Sequence, residues 1–359
     1  MWLNDLYEHW RGRSAKAQRS RSPAPRCRGP RLTLERLEDR TVPASFTAAS
    51  VAELVADINA ANLLGGANTI TLAPGTTFTM TAADNATDGG NGLPVVAAGD
   101  DLTIQGNGDV IERSAAAGTP AFRLFDVAAG ASLTLSDLIL QGGLTYSGGG
   151  AVYNQGALTL DGVIVQHNFG GYAGGGIWSN GSLNMEGNTI VQNNQARGVD
   201  GFAYFDFFSG TLLTLPAGSA SGGGLYVAGG TALLTDVTLS GNTAQGGRGA
   251  DAATFYDLFS GLTIRVSAGN GGSGYGGGLH AVGGTLELHN TSVTGNSALG
   301  GAGGLGGLKE KDGRAGPGLG GGLYLDAAAG CLDAFTKDHV KDNFASSHDA
   351  NIHGQWKRC

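Results

Sequence analysis

Cysteine is scarce, and the three that occur, Cys27, Cys331 and Cys359, stand in no CxxC or Cys/His ligand spacing. That argues against a structural zinc site and a disulfide-dense scaffold, and leaves one bridge open, Cys331 to Cys359. Long apolar runs are also missing. Nothing approaches the ~18 consecutive apolar residues of a membrane-spanning helix, so none is expected. Charged residues are few, at 14% of the chain, while hydrophobic residues reach 41%, which sets the chain apart from disordered tails. Glycine is abundant, 65 of 359 residues, but it does not recur at every third position, so a collagen is excluded. It gathers instead in clusters between apolar runs, which is turn chemistry.

The charge is unevenly placed. Residues 1–43 hold ten Lys/Arg and five Asp/Glu, leaving 12 basic and 25 acidic residues in the remainder, a net of −13. An acidic body repels phosphate backbones, so no nucleic-acid partner is expected. Residues 1–44 read as a disordered basic leader without the apolar core of an ordinary secretory signal. Cys27 sits in APRC, without the apolar residues of a lipoprotein box, so no lipid anchor is expected.

The body, 45–359, is organised by one unit. It first appears whole as GGGAVYNQGALTLDGVIVQHN at 148–168 and returns from Gly174, Gly222 and Gly276, with a worn copy from Gly320. A period in the solenoid range makes the body one array rather than several domains. Within 45–66, Val51, Leu54, Val55 and Ile58 form one helical stripe. Ser50 and Glu53 form a capping box and Gly65-Gly66 a stop, which predicts a helix covering the open end of the stack. Period-two segments at 67–147 are early coils, 148–345 holds the GGG…Asn repeats, and 346–359 is a tail.

Stacking the copies predicts three apolar columns pointing inward: Leu158/Leu183/Leu286, Leu160/Met185/Leu234/Leu288 and Val165/Ile190/Leu239/Val293. A polar column, Asn168, Asn193, Asn242, Asn296 and Asn343, predicts a ladder of side-chain amides from coil to coil. The GGG runs mark backbone conformations closed to a Cβ, or close approach of neighbouring coils.

After the Asn corner the first copy has only 169–173, whereas later copies carry inserts at 194–221, 243–275 and 297–319. These predict a ridge along one edge. The first two inserts are relatives, VDGFAYFDFFSGTLLTL and ADAATFYDLFSGLTIRV, each read as a hairpin; the third, glycine-rich and charged, is read as mobile. Their aromatics, Phe202, Tyr204, Phe205, Phe207, Phe208, Phe255, Tyr256 and Phe259, are the candidate binding residues. Two readings stay open, a local mini-core or an exposed patch for a glycan or protein.

The phrases GGGIWSNGSL, GGTLELHNTSVTGNSA and SHDANIHG, with the repeat grammar, resemble the right-handed parallel β-helix, or pectin-lyase-like, superfamily. They are most similar to the non-catalytic arrays of polymorphic-outer-membrane-protein and choice-of-anchor type. The run LERLEDRTVPA resembles a leader motif of planctomycete-type exported proteins. The resemblance implies an all-β, single right-handed parallel β-helix displayed at the cell surface or secreted, and a non-catalytic scaffold contacting extracellular glycans or surface proteins.

The alternative is a polysaccharide lyase or glycoside hydrolase on the same fold. Lyases of this superfamily use a strand Arg or Lys as base, and the coil segments between Leu124 and Asn296 contain neither. A hydrolase needs two facing carboxylates, for which Asp161 and Glu186, in one column, are the candidates; the column continues as Thr235 and His289, which reads as a solvated face. His280 and His289, and Asp338, His339, His348, Asp349 and His353, were the groups weighed for a metal. The second cluster falls in the worn last copy, where polar capping residues belong, so no metal is assigned. Gly246–Thr254 matches a calcium-roll nonapeptide, but one copy does not make a roll, and no cofactor is expected.

Overall fold

The computed structural model describes residues 43–359 apart from 207, 257–260 and 308–309. The leader assigned to 1–44 therefore lies outside the described residues except at its end, as do Phe207 and Phe259. Strands dominate, and pairings between successive repeats are parallel; among the described strands only the two insert hairpins are antiparallel. The fold is an all-β parallel stack of the solenoid kind.

Alternation explains the stacking. In Ser182–Glu186 the side chains of Leu183 and Met185 are buried while their neighbours face out. The strand pairs with Ala157–Asp161 on one side and Thr231–Thr235 on the other. Continued along the stack, the first column is Leu133, Leu158, Leu183, Ala232 and Leu286, all buried. Leu135, Leu160, Met185, Leu234, Leu288 and Leu332 form the second. Each fully buried side chain of this size contributes about 1.5–3 kcal/mol.

The third apolar column and the amide ladder need a one-residue correction. Val191, not Ile190, pairs with Val165 and Leu239. Asn194, not Asn193, carries the ladder. The second copy has one extra turn residue: Gly187 and Asn188 both take positive φ, 66° and 62°, and shift everything after them by one. Asn193 occupies the exposed left-handed corner instead, at φ 54°, aligned with His167 at the same angle.

In the ladder, the backbone N–H and the Nδ2 of Asn194 both donate to Asn242 Oδ1 at 3.0 Å. Asn242 repeats this toward Asn296, Asn296 toward Asn343, and Asn343 toward Asn351, a last member the repeat count did not include. Each Nδ2 also reaches a carbonyl of the preceding repeat, as from Asn242 to Val191 at 2.9 Å. Buried amides thereby satisfy one another along the axis, which is what a buried polar column requires.

The GGG runs serve both expected purposes at successive positions. Gly222 takes φ 59°, and a Cβ on Gly223 would lie 2.4 Å from Gly277 O in the next repeat.

Helix α1 (Val51–Leu64) starts on Ser50, whose Oγ accepts from Glu53 N, and buries Leu54, Ile58 and Ala61. It does not stand before the stack. The strand Ala44–Ala48 precedes it and pairs in parallel with Gly66–Leu72, so the helix is the crossover that connects these two strands. At the other end Ile352–Arg358 pairs with Leu323–Leu332. There Cys331 and Cys359 form a disulfide, their Cα atoms 5.3 Å apart.

The inserts rise on glycine stems. Gly316 N donates to Gly301 O, Gly301 to Gly272, Gly272 to Gly247, and Gly247 to Gly218, each at 2.8–2.9 Å. Segments from all three inserts are thus tied side by side, at separations no side chain permits: a Cβ on Gly247 would lie 1.8 Å from Val199 O. The third insert, expected to be mobile, is anchored in this array at its stem through Gly301 and Gly316. Its glycines are the close-packing surface of stems that continue those of the first two.

Candidate functional site

Asp161 and Glu186 are register partners on adjacent strands, both exposed. Strands of one sheet lie about 4.8 Å apart, so the carboxylates are neighbours. Asp161 lies over the turn at Gly187, and neither residue lines the shallow recess beside Asp137 and Gly162. Along the same column Thr235 pairs with His289, whose Nε2 lies 3.5 Å from Glu287.

The two aromatic inserts are hairpins, Phe202–Asp206 with Thr211–Leu215 and Ala253–Tyr256 with Thr263–Val266. They meet by packing. Phe205, 1% exposed, lies 5.9 Å from the ring of Phe255, and both face the space between the hairpins. Alternation places Phe202 and Tyr204 on the opposite face of the first hairpin, beside their cross-strand partners Leu215 and Leu213. Those four are 42–56% exposed. Phe208, at the turn, is fully exposed, as is Tyr256 in large part. Both readings of the inserts thus hold for different residues: Phe205 and Phe255 form a mini-core, while Phe202, Tyr204 and Phe208 do not.

The alignment of the inserts explains the asymmetry. Phe255 corresponds to Tyr204, so the face that the second hairpin covers with the first is the same face that the first hairpin leaves bare. The preceding repeat, with its short corner at 169–173, supplies no hairpin to cover it.

A second aromatic group escaped the sequence reading. The strands that follow each GGG carry, in one continuous register, Asp126, Tyr153, Trp178, Tyr226, His280, Tyr324 and His353. Each lies between two inward-facing residues, so the row runs along the outer surface. Tyr153 stacks on Trp178 at 4.2 Å, and Tyr324 on His353 at 4.6 Å. His280 stands edge-on between Tyr226 and Tyr324, at 5.4 and 4.6 Å. Tyr275, at the foot of the second insert, closes over His280 and Tyr324, so the insert ridge flanks this stripe.

The polar tips of the stripe are unused. The hydroxyls of Tyr153, Tyr226, Tyr275 and Tyr324 and the indole N–H of Trp178 make no hydrogen bond to a described residue. His280 is 5% exposed with neither ring nitrogen paired, and burial pulls its pKa down to about 3, so it is neutral. Burial also raises the pKa of Tyr226 and Tyr324, with Asp326 adding to the shift.

At one end of the stripe Arg123, fully buried, lies 4.7 Å over the ring of Tyr153 and 3.6 Å from Asp126. It donates to Asn91 Oδ1, Asp88 O and Ser147 Oγ, tying the loop around Asp88 to the stack. Burial pushes the Asp126 carboxyl up to about 6 against the opposing pull of Arg123. Arg123 sits one residue before the Leu124–Asn296 span, whose coil segments contain no Arg or Lys.

Among the described residues no group of three His, Cys, Asp or Glu converges. His339 meets Phe335 O through Nδ1, and His353 meets Asp349 at 2.6 Å. In the nonapeptide match, Gly246, Gly247 and Gly249 are stem positions. Asp251 pairs with Arg248 and accepts from Leu305 N at 2.7 Å. No helix among the described residues is long and apolar enough to cross a membrane. Comparison with family models, with curated proteins and with solved structures finds no match to the chain.

Proposed function

We propose that the chain is a non-catalytic scaffold of right-handed parallel β-helix, pectin-lyase-like kind, displayed at the cell surface or secreted. Its task is to contact an extracellular glycan along the aromatic stripe, with the inserts at 194–221 and 243–275 as the flanking wall. The observation that carries this reading is the register of Tyr153, Trp178, Tyr226, His280, Tyr324 and His353 on successive rungs, with the phenol hydroxyls and the indole N–H unpartnered among the described residues.

Half-buried aromatic residues with a wet polar end suit a contact surface. Rungs about 4.8 Å apart present the polar tips of Tyr153, Trp178, Tyr226 and Tyr324, with apolar ring edges between and buried His280 beneath, to an extended polyhydroxylated chain. The Cys331–Cys359 disulfide favours an oxidising compartment, in keeping with export.

The test is a glycan array with the purified chain, paired with a polysaccharide-degradation assay. Retention of defined glycans, lost in Tyr226→Ala and Trp178→Ala but kept in Asp161→Asn and Glu186→Gln, is the expected outcome. Shortening of a polysaccharide that disappears in Asp161→Asn or Glu186→Gln would establish the alternative, a glycoside hydrolase, and overturn the scaffold.

A further inference from the structure

We infer that the stripe takes an uncharged glycan in preference to a uronate or sulfated one, because the cations within it, Arg123 and His353, are committed to partners and carboxylates act on its tyrosines. This rests on the glycan reading above and specifies its ligand class. Arg123 is the one guanidinium at the stripe, and it is fully buried against Asp126, Asn91, Ser147 and the Asp88 carbonyl. His353 is held by Asp349. His280, the central member, is kept neutral by burial from neutral pH down to about 3.

Two arginines of the first two inserts are paired as well. Arg197 pairs with Asp200 at 3.0 Å, and Arg248 pairs with Asp251. Exposed carboxylates act on its tyrosines. Asp326 lies close enough to act on Tyr226 and Tyr324, and Asp88 on Tyr153. A polyanion laid along the row would meet this field together with that of the acidic body, a net of −13 beyond residue 43.

The available hydrogen-bonding groups point the same way. A phenol hydroxyl both donates and accepts, as a sugar hydroxyl does, and an indole N–H donates. Such tips pair with hydroxyls without needing a formal charge. A carboxylate or sulfate accepts only, and recognising it draws on Arg or Lys, which the stripe does not expose. The six rungs from Tyr153 to His353 extend over about 24 Å, room for several sugar rings.

Affinity electrophoresis of the full chain distinguishes the possibilities, in gels containing a soluble neutral glucan, a galactomannan, a xylan or polygalacturonate. Retardation by a neutral polymer, unchanged between low and near-physiological salt, is expected, with polygalacturonate at least tenfold weaker. The Tyr226→Phe/Tyr324→Phe pair keeps the rings and removes two hydroxyls, and should weaken neutral binding about tenfold. Asp326→Asn should leave neutral binding alone and admit polygalacturonate more readily.

Preference for polygalacturonate, relieved by salt, would overturn the neutral-ligand inference and leave the glycan reading standing. Binding to no polysaccharide on gels or array would overturn both. Unchanged neutral binding in the tyrosine pair would move the ligand off the stripe.

Discussion

Two regions of this molecule are aromatic, and they are held in opposite ways. The stripe is spread over repeats that stand far apart in the chain, and the parallel register brings one ring to each rung. The hairpins concentrate their aromatics in short contiguous runs, rise on glycine stems, and meet through Phe205 and Phe255. Linear density marks the second region and conceals the first. Rigidity favours the first as a binding surface, because its rings are positioned by the same hydrogen bonds that hold the stack.

The sharpest way to separate the regions is to break the support under one of them. Asn242→Ala removes an Oδ1 that accepts from Asn194 twice and an Nδ2 that donates to Asn296 and Val191. Stranding those buried partners should cost about 3–6 kcal/mol. Asn193→Gly, at the exposed corner, should change stability by no more than about 0.5 kcal/mol. Chemical denaturation of the two variants checks this, and equal losses would refute the corrected ladder. Next in size is the disulfide. Its 28-residue separation predicts a loss of about 3–4 kcal/mol on reduction, by the loop-entropy argument. Hydrogen exchange should then show Ile352–Arg358 opening first, taking His353 off Tyr324 while the hairpins stay unchanged.

A smaller effect is expected at the stems. Gly247→Ala pushes a methyl toward Val199 O and should cost about 1–3 kcal/mol. Its signature is faster exchange in both hairpins with protection retained at Asn242 and Asn296. Loss of protection throughout would mean that the stems and the stack fold as one unit.

Much of the stack was legible in the sequence because its rules are local. Alternation fixes which of Leu183 and Asn184 faces in, and Ser50 with Glu53 fixes where α1 begins. The ladder was misread by one position because Asn188 adds a residue in a turn, and counting from the GGG run carries the error through Ile190 to Asn193. The stem of the third insert was not legible because glycine has two physical uses. It loosens a chain in isolation, yet it lets strands approach to distances at which Gly301 and Gly316 can bond directly. The stripe was illegible for a different reason. Tyr153, Tyr226 and Tyr324 each sit alone among glycine and aliphatic residues, so no window of sequence contains two of them. Listing the residue two places after each GGG run would have found Trp178, Tyr226, His280 and Tyr324.

The smallest expected effect decides most about the comparison. Tyr204→Ser and Leu213→Ser fall on the bare face of the first hairpin, where the side chains are 56% and 55% exposed. Replacing exposed apolar groups should change stability by no more than about 0.5 kcal/mol. If the stripe is the glycan surface, the pair of substitutions should also leave glycan affinity unchanged, because neither residue belongs to the row of rungs from Tyr153 to His353. Phe205→Ala provides the internal control: it removes a buried ring from the hairpin contact and should speed exchange in both hairpins without touching the bare face. Loss of glycan binding in Tyr204→Ser/Leu213→Ser, with Tyr226→Ala unaffected, would reverse the assignment and make the hairpins the site. Unchanged binding in the hairpin pair and loss in Tyr226→Ala would leave the bare face as the uncovered end of a two-hairpin stack.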